Sequence, residues 1–182
     1  MQPYPQHLIK TIHLADGTPV RLRPIRAADA QIEQHFVRGL SDEARYFRFM
    51  DMLRELSPQM LKQMTDIDYH DQMALIAVIE VHGKEVEIAV GRYVVFPGTD
   101  DCEFAIVVGD KWQGKGIATA LMQQLIMSAR ARGLGKMIGE VLTSNSKMLH
   151  FVTTLGFHAH MDADNPTQMR VTKNLRENEN SE

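Results

Sequence analysis

One junction constrains this chain more than any other segment. Residues 103–122, EFAIVVGDKWQGKGIATALM, run from an apolar strand through a glycine-bearing loop into an amphipathic helix. Free N–H groups at such a helix start form an anion site, and the helix dipole adds to it. Gly114 and Gly116 let the backbone approach a phosphate with no Cβ in the way. Ala118 keeps the first turn narrow, Thr119 offers a hydroxyl, and Gln113 can donate its amide. An ordinary strand-to-helix turn would explain one of the glycines. It does not explain a glutamine, a second glycine and a small residue opening an uninterrupted amphipathic helix.

Three phosphate-bearing ligands suit this junction. For a nucleoside triphosphate, Gly109 to Lys115 matches the start of a P-loop, but Gly116 stands where Ser or Thr must reach Mg²⁺. For a dinucleotide, Gly114 and Gly116 match part of the glycine fingerprint, with Thr119 in place of the last glycine. The strands upstream are joined as hairpins rather than as the βαβ unit that the fingerprint requires. Coenzyme A is the third.

The surrounding pattern places the junction in a mixed α/β sheet. Asp16-Gly17 marks a hairpin turn, with Ile12 and Leu14 on one side and Val20 and Leu22 on the other. Helices are expected over residues 29–40, over 41–50 with Ser41 as cap, and after Ser57-Pro58. Strands follow over 73–82, 86–96 and 102–108, antiparallel in sequence order, with Gly83-Lys84 joining the first two. Then come a helix over 116–132 stopped by Gly133, a strand over 136–143, a helix from Asn145 to Gly156, and strands over 157–161 and 168–175. Residues 1–10 are expected to be a flexible lead-in, 11–175 a single domain, and 176–182 a disordered polar tail.

Composition narrows the partners. The net charge of −3 gives no reason to expect nucleic acid, and it suits a cationic acceptor. The single cysteine, Cys102, excludes an internal disulfide and is expected as a small core filler. No signal peptide or membrane span is legible, so a cytoplasmic protein is expected, with no membrane partner and a homodimer as the candidate assembly. His158 and His160 share a strand face, but no cysteine or acidic cluster accompanies them, so no metal is expected.

The stretch Gln113-Gly114-Lys115-Gly116-Ile117-Ala118, with Trp112 before it, resembles the pyrophosphate signature of the GNAT superfamily of acyl-CoA N-acyltransferases. Asn145 followed by Leu155-Gly156-Phe157 resembles that family's next motif, and the resemblance extends over about residues 18–175. It implies the GNAT fold, a central, mostly antiparallel sheet with helices on both faces, and acetyl-CoA as co-substrate. It implies that Gln113, Gly114, Lys115, Gly116, Ile117, Ala118 and Thr119 hold the pyrophosphate. The strand before the loop would part from its neighbour, leaving the backbone groups of Ile106 and Val108 to pair with the pantetheine arm. Asn145 would face the same arm, although it also suits a plain helix cap.

Amine acylation needs a neutral nucleophile, whereas a lysine-type amine has a reference pKa near ~10.4. By resemblance, Glu103 is the general base, with burial on its apolar strand expected to raise its pKa; a solvated glutamate beside Asp100 and Asp101 is the alternative. Relatives carry a tyrosine general acid where this chain has Val152, leaving water or Tyr46, Tyr69 or Tyr93 to protonate the thiolate. Residues 16–25 together with 41–49, including Arg45-Tyr46-Phe47-Arg48-Phe49, resemble the acetyltransferase portion of bacterial protein-lysine acetyltransferases. That resemblance implies a protein lysine as acceptor, and the chain is expected to lack the ligase-like or regulatory domain often fused to such portions. A small polyamine or amino-sugar acceptor and a non-catalytic acyl-CoA-binding module are the rival readings.

Overall fold

The sheet's centre is set by β3, which spans Gln72–Val81 and is apolar on both faces. Leu75 and Ala77 point to one face and Ala74, Ile76 and Val78 to the other, all essentially without solvent contact. A strand buried on both sides needs a layer on each side. The computed structural model, which describes residues 2–176, supplies both layers.

The strands are β1 (Lys10–His13), β2 (Pro19–Pro24), β3, β4 (Lys84–Val95), β5 (Cys102–Val108), β6 (Lys136–Leu142), β7 (His158–Met161) and β8 (Gln168–Asn174). They form one 8-stranded sheet in the order β1-β2-β3-β4-β5-β6-β8-β7. Every pairing is antiparallel except that of β5 with β6. Helices α1 (Ala30–Gly39), α2 (Asp42–Phe49) and α3 (Pro58–Thr65) cover one face. Helices α4 (Ile117–Ala131) and α5 (Ser146–Thr154) cover the other. This is the mixed α/β architecture expected from the sequence.

Local chemistry fixes most boundaries. Ser41 and Ser57 accept bonds from the N–H groups of Ala44 and Met60, capping α2 and α3. The β3–β4 turn uses His82 and Gly83, both at positive φ, and Lys84 already pairs with Val81. The link expected at Gly83-Lys84 therefore sits one residue earlier. Helix α1 begins later than expected. A 3-10 turn over Ala27–Asp29 precedes it, and the buried Asp29 carboxylate grips Arg23 at 2.7 and 2.8 Å.

The lead-in, expected as loose, makes several contacts. Tyr4 donates to the carbonyl of Pro24 at 2.9 Å and stands edge-on to Tyr69, and Gln124 donates to the carbonyl of Leu8. The disordered tail expected over 176–182 lies, beyond Arg176, outside the described residues. Among the described residues, no helix is long and apolar enough to cross a membrane.

Candidate active site

Strands β5 and β6 pair at only two positions, Cys102↔Met137 and Glu103↔Ile138, and then part. Past that point β6 remains fully paired to β8. The inner edge of β5 is thus left without a partner from Phe104 onward. Which groups lie open follows from the β4–β5 ladder. The N–H of Gly109 bonds the carbonyl of Ile88 at 2.8 Å, so the alternating pattern turns Val107 toward β4. It turns the backbone groups of Ile106 and Val108 toward the gap.

A cavity of about 590 Å³ occupies the gap. Ile106, Val107 and Val108 form its floor, the start of α4 one wall, and Ser144 to Met148 with Phe151 another. Glu43, Ala44, Phe47 and Arg48 of α2 close it on the remaining side.

At the α4 end, Gly114 and Gly116 have φ of +72° and +85°, and a Cβ on either would meet no atom within 4 Å. The left-handed backbone, rather than crowding, demands glycine here. The space in front of it is open. No side chain caps α4, and Ala120 makes its first backbone bond, to the carbonyl of Gly116. The N–H groups of Ile117, Ala118 and Thr119 therefore remain unpartnered in the first turn.

The expected site residues divide among several positions. Gln113, Gly114, Gly116, Ile117, Ala118, Thr119, Ile106, Val108 and Asn145 all line the cavity. Ile117 is otherwise core, and Gln113 spends its amide on the carbonyl of Val108 at 3.3 Å. Asn145 caps α5, accepting from the N–H of Met148 at 3.2 Å, while also facing the cavity. Lys115 is exposed at the loop tip and does not line the cavity. Glu103 stands where the strands part, on the sheet face covered by α2. It is exposed, so the burial expected for it is not found. The reason is its place along the strand: Cys102 and Phe104 enter the core on the α4 face, whereas on the face of Glu103 the buried packing of β5 begins only at Val107. Cys102 is the expected core filler, its thiol pushed up to about 12 by burial and then by Asp101.

Val152 is fully buried in the core, so the tyrosine position carries no acid. Of the proposed substitutes, none lines the cavity. Tyr69 donates to the carbonyl of Ile25 at 2.8 Å, and the buried Tyr93 shares a 3.4 Å contact with Ser128. Asp100 of the acidic run is held by Arg176 at 2.7 Å.

Of the Tyr46-Phe47-Arg48-Phe49 stretch, which by resemblance belongs near an acceptor pocket, Phe47 and Arg48 line the cavity, and Glu43 and Ala44 join them. Ser41, at the start of α2, bonds both oxygens of Asp110 in the glycine loop, through its N–H at 3.0 Å and its hydroxyl at 2.7 Å. Burial raises the Asp110 pKa, but these bonds outweigh it and hold the carboxyl below its usual range. The capping serine thereby ties α2 to the glycine loop. Arg48 reaches the cavity from the same helix. Burial, then the guanidinium of Arg92, lowers Arg48 to about 10, against the opposing pull of Glu33 and Glu103.

The Acetyltransferase (GNAT) family model matches residues 39–157. The chain is 36% identical over 156 residues to Acetyltransferase PA5475 of Pseudomonas aeruginosa, covering 86% of this chain and 84% of that protein. It is 31% identical over 146 residues to Acetyltransferase Pat of Mycolicibacterium smegmatis, covering 80% of this chain but only 43% of Pat. The crystal structure of the GNAT domain of S. lividans PAT superposes with a TM-score of 0.85 at 30% identity, covering 94% of this chain and 99% of that domain.

Proposed function

The chain belongs to the GNAT acetyltransferase family and is an acyl-CoA-dependent N-acetyltransferase; from that premise we propose that it moves acetyl from acetyl-CoA directly onto a primary amine, with a protein lysine as acceptor. The observation that carries this reading is the parting of β5 from β6 after Glu103, with a cavity running from the gap to the uncapped start of α4.

In this reading the pyrophosphate lies against the free N–H groups of residues 117–119, where the helix dipole favours negative charge. Gly114 and Gly116 keep that approach open, and Lys115 adds a cation at the rim. The pantetheine arm pairs with Ile106 and Val108 as an added strand, and Asn145 borders it while keeping its capping bond.

Glu103 then acts at the vertex of the gap. It takes the proton of the acceptor ammonium, directly or through water. The neutral nitrogen attacks the thioester carbonyl, the C–N bond forms, and the C–S bond breaks. As the amide forms, the nitrogen sheds its second proton to water, and water passes a proton to the departing thiolate, since Val152 supplies none. An exposed base supports an acceptor that arrives on a protein surface rather than one enclosed in a pocket. A cytoplasmic site of action goes with this reading.

The experiment is mass spectrometry of protein mixtures incubated with acetyl-CoA and either the wild type or Glu103→Gln. Lysine acetylation should depend on Glu103, and kcat should fall by roughly 10²–10⁴ in the variant while CoA affinity holds. If no lysine gains acetyl above the variant's level while a small amine turns over rapidly, the acceptor is that amine.

A further inference from the structure

Beneath α1, α2 and α3 nearly every sheltered arginine has a partner. Arg23 holds Asp29 and Glu85, and Arg45 holds Asp42 and the carbonyl of Leu40. Arg92 donates to the carbonyl of Met64 at 3.0 Å and reaches Glu33 at 3.5 Å. Arg48 is the exception. Its guanidinium lies 4.8 Å from the centre of the Phe49 ring, and it makes no hydrogen bond or ion pair with any described residue.

A guanidinium carries five N–H donors in a flat fork that matches a carboxylate at two points. Arg48 is half-buried, so its donors face the open cavity, where a ligand carboxylate can take the place of water. Arg48 lines the cavity beside Ile106 and Val107, within electrostatic reach of Glu103. The other charged side chains of the cavity wall are Glu43, Asp110 and Lys147, and Asp110 is already bonded to Ser41. Arg48 and Lys147 stand against Glu43 and the nearby Glu103, so the wall holds no surplus of positive charge for a phosphate dianion, and a singly charged carboxylate is the better match.

We propose that Arg48 is a specificity-determining residue that binds a substrate carboxylate held beside the reacting amine and thioester. The inference rests on the N-acetyltransferase reading above. The carboxylate has two sources with the same chemistry: the far end of a dicarboxylic acyl chain on CoA, or an acidic residue next to the acceptor lysine. In either case it keeps its charge and takes no part in bond making. The amine still displaces the thiolate, and Glu103 still receives the proton.

The test compares kcat/KM, from thiol release, in two arms. One uses acetyl-CoA with lysine peptides that differ only in Asp or Asn beside the lysine. The other uses succinyl-CoA against acetyl-CoA with the Asn peptide. The wild type should favour the carboxylated member of at least one arm by about 10-fold or more, the value of a charge-assisted bond. The arm that shows the preference names the source. In Arg48→Gln that ratio should fall toward 1, chiefly through KM, and Arg48→Lys should keep part of it. CoA affinity and circular dichroism verify that the variants fold. Equal rates within both arms for the wild type, or an unchanged ratio in Arg48→Gln, overturns the inference. No thiol release from any combination would instead sink the transferase reading, and this inference with it.

Discussion

Substituting Gly139 by alanine tests how the parting of β5 and β6 is packed. Gly139 is the first β6 residue beyond the last pair with β5, and Phe104 is the first β5 residue beyond it. The Phe104 ring lies across Gly139, so a Cβ there would sit 2.5 Å from Cε1 and 2.7 Å from Cζ. Carbon atoms pack at about 3.5–4.0 Å, which requires the ring to withdraw by roughly 1 Å. It has little room to do so, because it is buried and backs onto Phe157 with centroids 5.1 Å apart. Overpacking of this kind costs about 1–3 kcal/mol, while the stiffer unfolded chain returns about 0.4–1 kcal/mol. A net loss near ~1.5 kcal/mol lowers Tm by about 3–6 °C for a domain of this size. Calorimetry or urea unfolding measures it, with Gly39→Ala as the control. No atom lies within 4 Å of a Cβ at Gly39, so that helical substitution should not destabilise. In a Phe104→Leu background the penalty of Gly139→Ala should largely vanish. Wild-type stability in the single variant, or an undiminished cost without the ring, refutes the reasoning.

Two other outcomes follow from the geometry. Gly116→Trp should fold, with strain of about 1–2 kcal/mol at φ +85°, yet bind CoA at least ~10-fold more weakly because the indole fills the open approach; an unchanged dissociation constant by calorimetry would sink the loop assignment. The second concerns Glu87, a buried carboxyl on β4 whose oxygens meet no hydrogen-bond donor among the described residues. Burial, and then the neighbouring Glu33, pushes its pKa well above the usual 4.5, so the folded state holds a proton that the unfolded chain releases. Its contribution is therefore full near and below pH 4.5 and declines as pH rises toward the folded value, by up to about 1.4 kcal/mol per pH unit. Glu87→Gln cannot titrate, so its urea stability should gain on the wild type between pH 5 and pH 8; a constant difference across that range defeats the assignment.

The geometry of the glycine loop was legible because it is local. Glycines at positive φ, an uncapped helix start and an unbroken apolar face are each written in consecutive residues. The same holds for the caps at Ser41, Ser57 and Asn145, where one side chain reaches an N–H three residues on. The backbone groups of Ile106 and Val108 face the gap, an orientation that resemblance rather than pattern suggested. What escaped the sequence depends on neighbours far along the chain. Glu103 looked buried because its strand is apolar, but on its face of the sheet the buried packing of β5 begins only at Val107. The lead-in looked loose because its few polar and ring contacts lie with Pro24, Tyr69 and Gln124, none of them adjacent in sequence. The Tyr46-Phe47-Arg48-Phe49 stretch could be weighed as acceptor pocket by resemblance, but that Arg48 lacks a protein partner there could not be read from sequence. That depends on the helix's position over β5, fixed in part by Ser41 bonding Asp110. The CoA contacts proposed for the loop thus rest on one short segment, while the selectivity proposed for Arg48 rests on the contact between two segments that the sequence keeps about sixty residues apart.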